Sequence, residues 1–242
     1  MRAREAHLVE ALILAGGLGT RLRSAVPDRP KPMALVAGRP FLEYVVSSLR
    51  RGGVQTIVLA VGHQADKVQR HFGDGARWEV SIRYSQEDAP LGTGGAVKLA
   101  GSVLTGDRFL LLNGDSFLEL DYGELVRYHA AKRGLVTVAV TRVADRARYG
   151  AVDLDGGGAI IAFSPPRVAK GAGWVNGGVY VVSRGVLDQI APTRPVSLET
   201  EVLPHLVGRG LYGYPAADRY FIDIGTPASY RDAQSSLPER VT

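Results

Sequence analysis

Hydrophobic positions in the first half of the chain alternate between short unbroken runs and runs of helical spacing. Ala11 to Leu14 is a continuous apolar run closed by Gly16 and Gly17. Phe41, Leu42, Val45, Val46 and Leu49 recur at helical spacing, and Gly52-Gly53 predicts the end of that helix. Thr56 to Val61 is again β-branched and continuous. Ala65, Val68 and Phe72 predict a short helix stopped by Gly73, and Val80, Ile82 and Tyr84 alternate as in a half-buried strand. Ala96, Val97, Ala100, Val103 and Leu104 share a helical face, and Phe109 to Leu112 is another buried strand.

Continuous apolar strands separated by helices predict an α/β fold, with a mostly parallel sheet covered by helices on both faces. Ligands of such sheets bind beyond the carboxyl ends of the strands. Asp121 and Glu124 predict a capped helix start. After Gly134 the pattern changes. Val136–Val143, Ala151–Leu154, Ile160–Phe163 and Val179–Val182 are strand candidates with little helix between them, a smaller, more antiparallel extension of the sheet. A helix near Glu199–Val207 and a strand near Tyr220–Ile224 follow. Thr226 then caps a last helix with Pro227 at its first position. One domain over residues 1–242 is expected, with no linker or repeat. Residues 8–135 would form the α/β core, 136–215 a second, more antiparallel part and 216–242 the closing strand and helix.

Composition narrows the function classes. The chain has 242 residues, 45% of them hydrophobic and 22% charged, and a formal net charge of +5. That balance suits anionic ligands, or follows from a few extra surface arginines. Basic runs with interleaved aromatics are absent, so a nucleic-acid partner is not expected. The absence of cysteine excludes disulfides and thiolate zinc sites. Met1–Glu10 has no apolar signal core, and no apolar stretch approaches the ~20 residues of a membrane span. A cytoplasmic protein without a membrane partner is the expectation; a homo-oligomer is left open.

Chemistry concentrates at strand ends. The first strand runs into Gly16-Gly17-Leu18-Gly19-Thr20-Arg21-Leu22. Clustered glycines let backbone N–H groups approach an anion, and Arg21 adds a guanidinium fork for phosphate oxygens. The run lacks the Gly-Lys-Ser/Thr ending of one phosphate motif and, at Leu22, the third glycine of the dinucleotide fingerprint. In Pro30-Lys31-Pro32 the flanking prolines stiffen the backbone and favour extended geometry, presenting the lysine at a fixed point. Asp115, in Asn113-Gly114-Asp115, follows a strand; Asp223 ends the last one. Two carboxylates at strand ends of one sheet are expected to meet at a magnesium ion, which takes one or two carboxylates and completes its shell with water and phosphate oxygens.

These segments together carry a resemblance. Leu14–Leu22, Pro30-Lys31-Pro32-Met33, Pro90-Leu91-Gly92-Thr93-Gly94-Gly95-Ala96, Asn113-Gly114-Asp115, Asn176-Gly177-Gly178 and Asp223-Ile224-Gly225-Thr226-Pro227 closely resemble the sugar nucleotidyltransferase family, in its order and over nearly the whole chain. Within the family, Pro40-Phe41-Leu42-Glu43, Pro90–Ala96 and Arg148-Tyr149-Gly150 are most similar to guanylyltransferases of D-glycero-α-D-manno-heptose 1-phosphate. The resemblance implies a Rossmann-like, GT-A-like fold, Mg2+ as cofactor, and a nucleoside triphosphate and a sugar 1-phosphate as substrates. It implies that Leu14, Ala15, Gly16, Gly17, Gly19, Thr20, Arg21, Gly92, Thr93 and Asn113 bind nucleotide. Arg21 and Lys31 would hold phosphates, Asp115 and Asp223 the metal, and Tyr149, Gly150, Asn176, Gly177 and Glu199 the sugar.

One departure stands out. Where the family has a Glu-Lys-Pro-like motif whose lysine contacts the sugar phosphate, this chain has Phe163-Ser164-Pro165-Pro166-Arg167, with Lys170 beyond. Arg167 is the preferred substitute and Lys170 the second. Base choice rests on donor–acceptor matching: a guanine edge presents two donors and favours Glu87, whereas Gln86 suits uracil or thymine. The alternatives are the same chemistry with GTP and mannose 1-phosphate, with UTP and an amino-sugar phosphate, or with CTP and a hexose phosphate, and a non-catalytic sugar-nucleotide sensor. The five histidines show no pair or metal spacing and are expected to be structural or surface groups.

Overall fold

The computed structural model describes residues 9–17, 22, 26–164, 168–191 and 194–241. Its strands are β1 (Ala11–Leu14), β2 (Leu35–Val36), β3 (Arg39–Pro40), β4 (Thr56–Val61), β5 (Ser81–Gln86), β6 (Arg108–Asn113), β7 (Ser116–Leu118), β8 (Val136–Val143), β9 (Ala151–Leu154), β10 (Ile160–Ser164), β11 (Gly173–Ser183), β12 (Leu211–Pro215) and β13 (Phe221–Asp223). Its α-helices are α1 (Phe41–Arg51), α2 (Ala65–Phe72), α3 (Gly92–Ala100), α4 (Tyr122–Lys132), α5 (Leu203–His205), α6 (Pro227–Ser236) and α7 (Pro238–Val241).

A seven-stranded sheet of order β12-β8-β11-β6-β1-β4-β5 organises the molecule. Strands β6, β1, β4 and β5 are mutually parallel. Strand β11 runs against both β6 and β8, and β12 is parallel to β8. Only β11 is therefore reversed. The chain order turns about β1, which lies between β4 and β6, and that is where an open α/β sheet forms its crevice.

Side-chain alternation explains why the strands read as unbroken apolar runs. Ala11, Ile13, Ile57, Leu59, Leu110 and Leu112 enter one core, with α1, α2 and the start of α4 over it. Leu12, Val58, Ala60, Phe109 and Leu111 enter the other, covered by α3 and by Val196–Leu206. Both faces are buried, so apolar residues dominate both, with Thr137 and Thr141 of β8 among the few buried polar side chains.

The structure corrects several boundaries. Strands β8 and β11 extend the main sheet as expected, with β11 antiparallel to both neighbours, whereas β9 and β10 leave it to form a separate hairpin. Helix α3 starts at Gly92 and ends at Ala100, so Val103 and Leu104 follow it in a turn, although Leu104 stays in the core. Strand β11 is longer than Val179–Val182 and carries the Asn176-Gly177-Gly178 segment as an irregularity in its ladder. Glu199 lies in a π-helical turn, Leu198–Val202, a form common at functional positions. Capping matched expectation: the Asp121 carboxylate accepts the Glu124 N–H at 2.9 Å, and Thr226 and Ser229 form a capping box at α6.

Candidate active site

Asp115 and Asp223 reach one another by a different route from the one expected. Asp115 follows β6 of the main sheet, but β13 pairs with β7 in a separate two-stranded ladder. In that ladder Asp223 sits opposite Ser116, the residue after Asp115, and the Ile224 N–H donates to the Asp115 carbonyl at 3.0 Å. The short return from β6 into β7 thus brings the end of the chain beside the end of β6.

Lys31 joins the two acids. Its Nζ lies 2.5 Å from Asp115 Oδ2 and 4.0 Å from Asp223 Oδ2, and its side chain is only 9% exposed. The lysine is carried by a single 3-10 turn, Lys31–Met33, and not by the extended backbone expected before proline. Pro30 precedes the turn and Pro32 sits inside it, and the Pro30 and Lys31 carbonyls accept the Met33 and Ala34 N–H groups. From this turn the ammonium points at the acids.

A further cation was not anticipated. Arg148 donates from Nη2 to the Asp223 carbonyl at 2.9 Å, to Asp223 Oδ1 at 2.5 Å and to Ser229 Oγ at 2.9 Å. The Gly225 N–H also donates to Asp223 Oδ1, at 2.9 Å. The Arg148-Tyr149-Gly150 segment marks this place in the sequence, yet no spacing rule connects residue 148 to residue 223. Tyr149 lies beside the same acid: its ring is 5.4 Å from Phe221, and burial raises its phenol above the ordinary range.

On the other side of β1 a cavity of about 510 Å3 opens at the carboxyl ends of β1, β4 and β5. Leu14, Gly16, Gly17, Gln86, Glu87, Gly92 and Thr93, all expected nucleotide contacts, line it. His63 lines it too, which the sequence did not single out. Ala15 is buried behind it, donating its N–H to the Ala60 carbonyl at 2.8 Å. Gln86 is exposed at the rim and accepts from Gln69 Nε2 at 3.0 Å. Glu87 is half-buried. Its Oε2 accepts the Leu91 N–H at 3.0 Å, and its Oε1 packs on Gly62 so closely that a Cβ there would lie 2.6 Å away. Loss of solvation raises the Glu87 pKa, and the Leu91 N–H opposes that rise. Gly19, Thr20 and Arg21 lie outside the described residues.

One hydrogen-bonded pair links this cavity to the Leu198–Val202 turn, and a second group of bonds lies within β11. Thr93 Oγ1 donates to Glu199 Oε2 at 2.7 Å and accepts the Leu198 N–H at 2.8 Å. Asn176 Nδ2 donates to Tyr180 Oη at 2.7 Å, while its Oδ1 accepts the Gly178 N–H at 2.9 Å. Asn113, at the end of β6, has a buried Oδ1 with no hydrogen-bond partner among the described residues. Gly177 packs on Leu118, and Gly178 on Ser116 and Asn113, so the segment borders the acid pair. Gly150 is buried next to Tyr149. Lys170 is exposed before β11, and Arg167 is outside the described residues.

The donor set suits a hard divalent cation. Two carboxylates already converge on one positive charge, and the described residues include no cluster of three or more His, Cys, Asp or Glu side chains able to close a metal's shell. Such an open pair leaves most coordination positions to water and phosphate, as magnesium sites do. His129 takes no part. It is buried between Thr137 Oγ1 at 2.9 Å and Ser183 Oγ at 3.1 Å, and burial lowers its pKa to about 4.

Comparison with known proteins agrees with this geometry. The nucleotidyl transferase family matches residues 10–240. The chain is 36% identical to the D-glycero-alpha-D-manno-heptose 1-phosphate guanylyltransferase of Aneurinibacillus thermoaerophilus, over 95% of this chain and 98% of that one. It is also 36% identical to the mannose-1-phosphate guanylyltransferase of Mycobacterium tuberculosis, over 96% of this chain but only 65% of that longer protein. The crystal structure of HddC from Yersinia pseudotuberculosis superposes with a TM-score of 0.84 at 31% identity, covering 95% of this chain and 99% of that one. HddC has also been solved complexed with GMP-PN, with a TM-score of 0.83. A family match along nearly the whole chain, with the expected cavity residues at the sheet's carboxyl edge and Asp223 brought beside Asp115 by the β7–β13 ladder, leaves one assignment: the protein belongs to the nucleotidyl transferase family.

Proposed function

We propose that the chain transfers a guanylyl group from GTP to D-glycero-α-D-manno-heptose 1-phosphate, releasing pyrophosphate. The observation that carries this reading is the convergence of Asp115 and Asp223 on Lys31, beside a cavity lined by the glycine-rich turn and Glu87. The heptose is preferred over mannose because Pro40-Phe41-Leu42-Glu43, Pro90–Ala96 and Arg148-Tyr149-Gly150 resemble the heptose enzymes.

A phosphate oxygen of the sugar 1-phosphate attacks the α-phosphorus; a P–O bond forms as the bond to the β-phosphate oxygen breaks. The nucleophile is already ionised near neutral pH, so no general base is needed. Magnesium held by Asp115 and Asp223 would supply charge stabilisation for the transferring and departing phosphates. Lys31 is held within reach of the same place, so its ammonium offsets repulsion between two anionic substrates. Arg21 is assigned the leaving phosphates on the resemblance. Glu87 faces the base as an acceptor for the guanine N1–H and N2–H2 groups, and the Leu91 N–H fixes its carboxylate. Tyr149, Gly150, Asn176, Gly177 and Glu199 form the sugar wall, with Arg167 or Lys170 on its phosphate. The product would feed surface glycan assembly, capsule or lipopolysaccharide, from the cytoplasm.

Pyrophosphate release over a panel of triphosphates and sugar 1-phosphates tests the reading. The expected best pair is GTP with the manno-heptose 1-phosphate. A preference for UTP or CTP would overturn the base assignment, and a preference for mannose 1-phosphate the sugar.

A further inference from the structure

Two cations and two carboxylates meet at the acid pair, and their formal charges cancel. Lys31 covers Asp115 at 2.5 Å and Arg148 covers Asp223 at 2.5 Å. The Lys31 side chain is buried, whereas that of Arg148 is 33% exposed and reaches the acid from a short 3-10 turn, Arg146–Arg148, next to Tyr149. The Arg148 guanidinium also bonds the Asp223 carbonyl and Ser229, so it has a place to stay if the carboxylate is taken by another cation.

We infer that Arg148 is a built-in counter-ion for Asp223, which keeps the centre neutral and makes uptake of a divalent cation conditional on an arriving phosphate anion. This rests on the reading of Asp115 and Asp223 as the metal carboxylates. A divalent ion entering alone would turn a neutral cluster into a doubly positive one, against two fixed positive charges a few ångströms away, where Coulomb repulsion in a partly buried site is large. Entering with a polyphosphate, it brings the negative charge that cancels the excess. Arg148 is a positioning residue as well, since it fixes Oδ1 and leaves Oδ2 turned toward Lys31. A purely structural Arg148 and a counter-ion Arg148 differ in sign: losing a scaffold weakens cation binding, while losing a repelling charge strengthens it.

The test is calorimetric titration of the full chain with Mn2+ alone. Wild type, Arg148→Met, Arg148→Gln and Arg148→Lys would be compared, with Arg50→Met, in a surface ion pair with Glu79, as the control. Melting curves confirm that each variant is folded, and the glutamine variant serves if the methionine one is not. Arg148→Met or Arg148→Gln is expected to bind Mn2+ at least tenfold more tightly than wild type, with Arg148→Lys and Arg50→Met near wild type. Equal or weaker binding in both neutral variants overturns the inference. Adding Asp115→Asn to the tight variant is expected to abolish the gain; a gain that survives it means that the acid pair is not the cation site.

Discussion

Replacing Glu87 by glutamine changes one oxygen to an amide nitrogen and removes one charge from the wall of the nucleotide cavity. The substitution is nearly isosteric, so the packing against Gly62 survives, and the amide carbonyl can still accept the Leu91 N–H. What is lost is the second acceptor. A hydrogen bond to a charged group contributes about 1.5–3 kcal/mol against roughly 0.5–1.5 kcal/mol for a neutral one. The new NH2 would also meet a guanine donor, leaving both unpaired. Together these effects amount to about 2–3 kcal/mol, roughly 30- to 150-fold in kcat/KM for GTP. UTP, which needs no carboxylate, should lose little. The assay is pyrophosphate release with each triphosphate at saturating sugar 1-phosphate. Because burial raises the Glu87 pKa, GTP preference in the unaltered protein should fade as pH drops through a value above the ordinary carboxylate range, and Glu87→Gln should remove that dependence. A GTP:UTP ratio unchanged by Glu87→Gln would refute the role.

Other predictions follow from the same geometry. Asp115→Asn and Asp223→Asn should each lower turnover by about 10^3-fold or more, the scale of lost preorganised charge stabilisation, while both proteins stay folded by circular dichroism; a tenth of normal turnover in either contradicts the metal assignment. Gly92→Ala places a Cβ 2.5 Å from the Val196 carbonyl at φ +72°, so it should cost about 1–3 kcal/mol and displace the turn that carries Glu199, which thermal melts and the KM for sugar phosphate would register. Buried His129 is held neutral, with its pKa lowered to about 4, whereas the unfolded chain protonates near 6.5. Stability from this group is therefore full above about pH 6.5 and falls by about 2–3 kcal/mol as pH drops toward 4, a slope that urea titrations should show and His129→Gln should flatten.

The sheet was legible because its strands are buried on both faces and so cannot hide among polar residues. Ala11–Leu14 and Thr56–Val61 were readable to the residue. Strand β12 was not, since Leu211–Pro215 contains a glycine and a proline and pairs at the sheet's edge. Val136–Val143 and Val179–Val182 were legible as an extension of the sheet, whereas the departure of Ala151–Leu154 and Ile160–Ser164 into a separate hairpin could not be told from their pattern. In the candidate site, glycines and acids at strand ends carried most of the signal. Lys31 lies beside both acids, but on a 3-10 turn that tolerates proline at its second position and not on the extended backbone expected. Arg148 was missed as a partner of Asp223. Its bond joins the turn Arg146–Arg148 to the end of β13 across 75 residues of sequence, and nothing local encodes that. Thr93 and Glu199 were assigned to different substrates, yet they are hydrogen-bonded and join the two halves of the site.

The most direct test is a crystal of the protein grown with Mn2+ and a non-hydrolysable GTP analogue, with data collected at the manganese absorption edge. An anomalous peak in contact with both the Asp115 and Asp223 carboxylates and with a phosphate oxygen of the analogue is the predicted result. A peak touching neither acid, or an analogue seated away from Gly16, Glu87 and Thr93, would contradict the account.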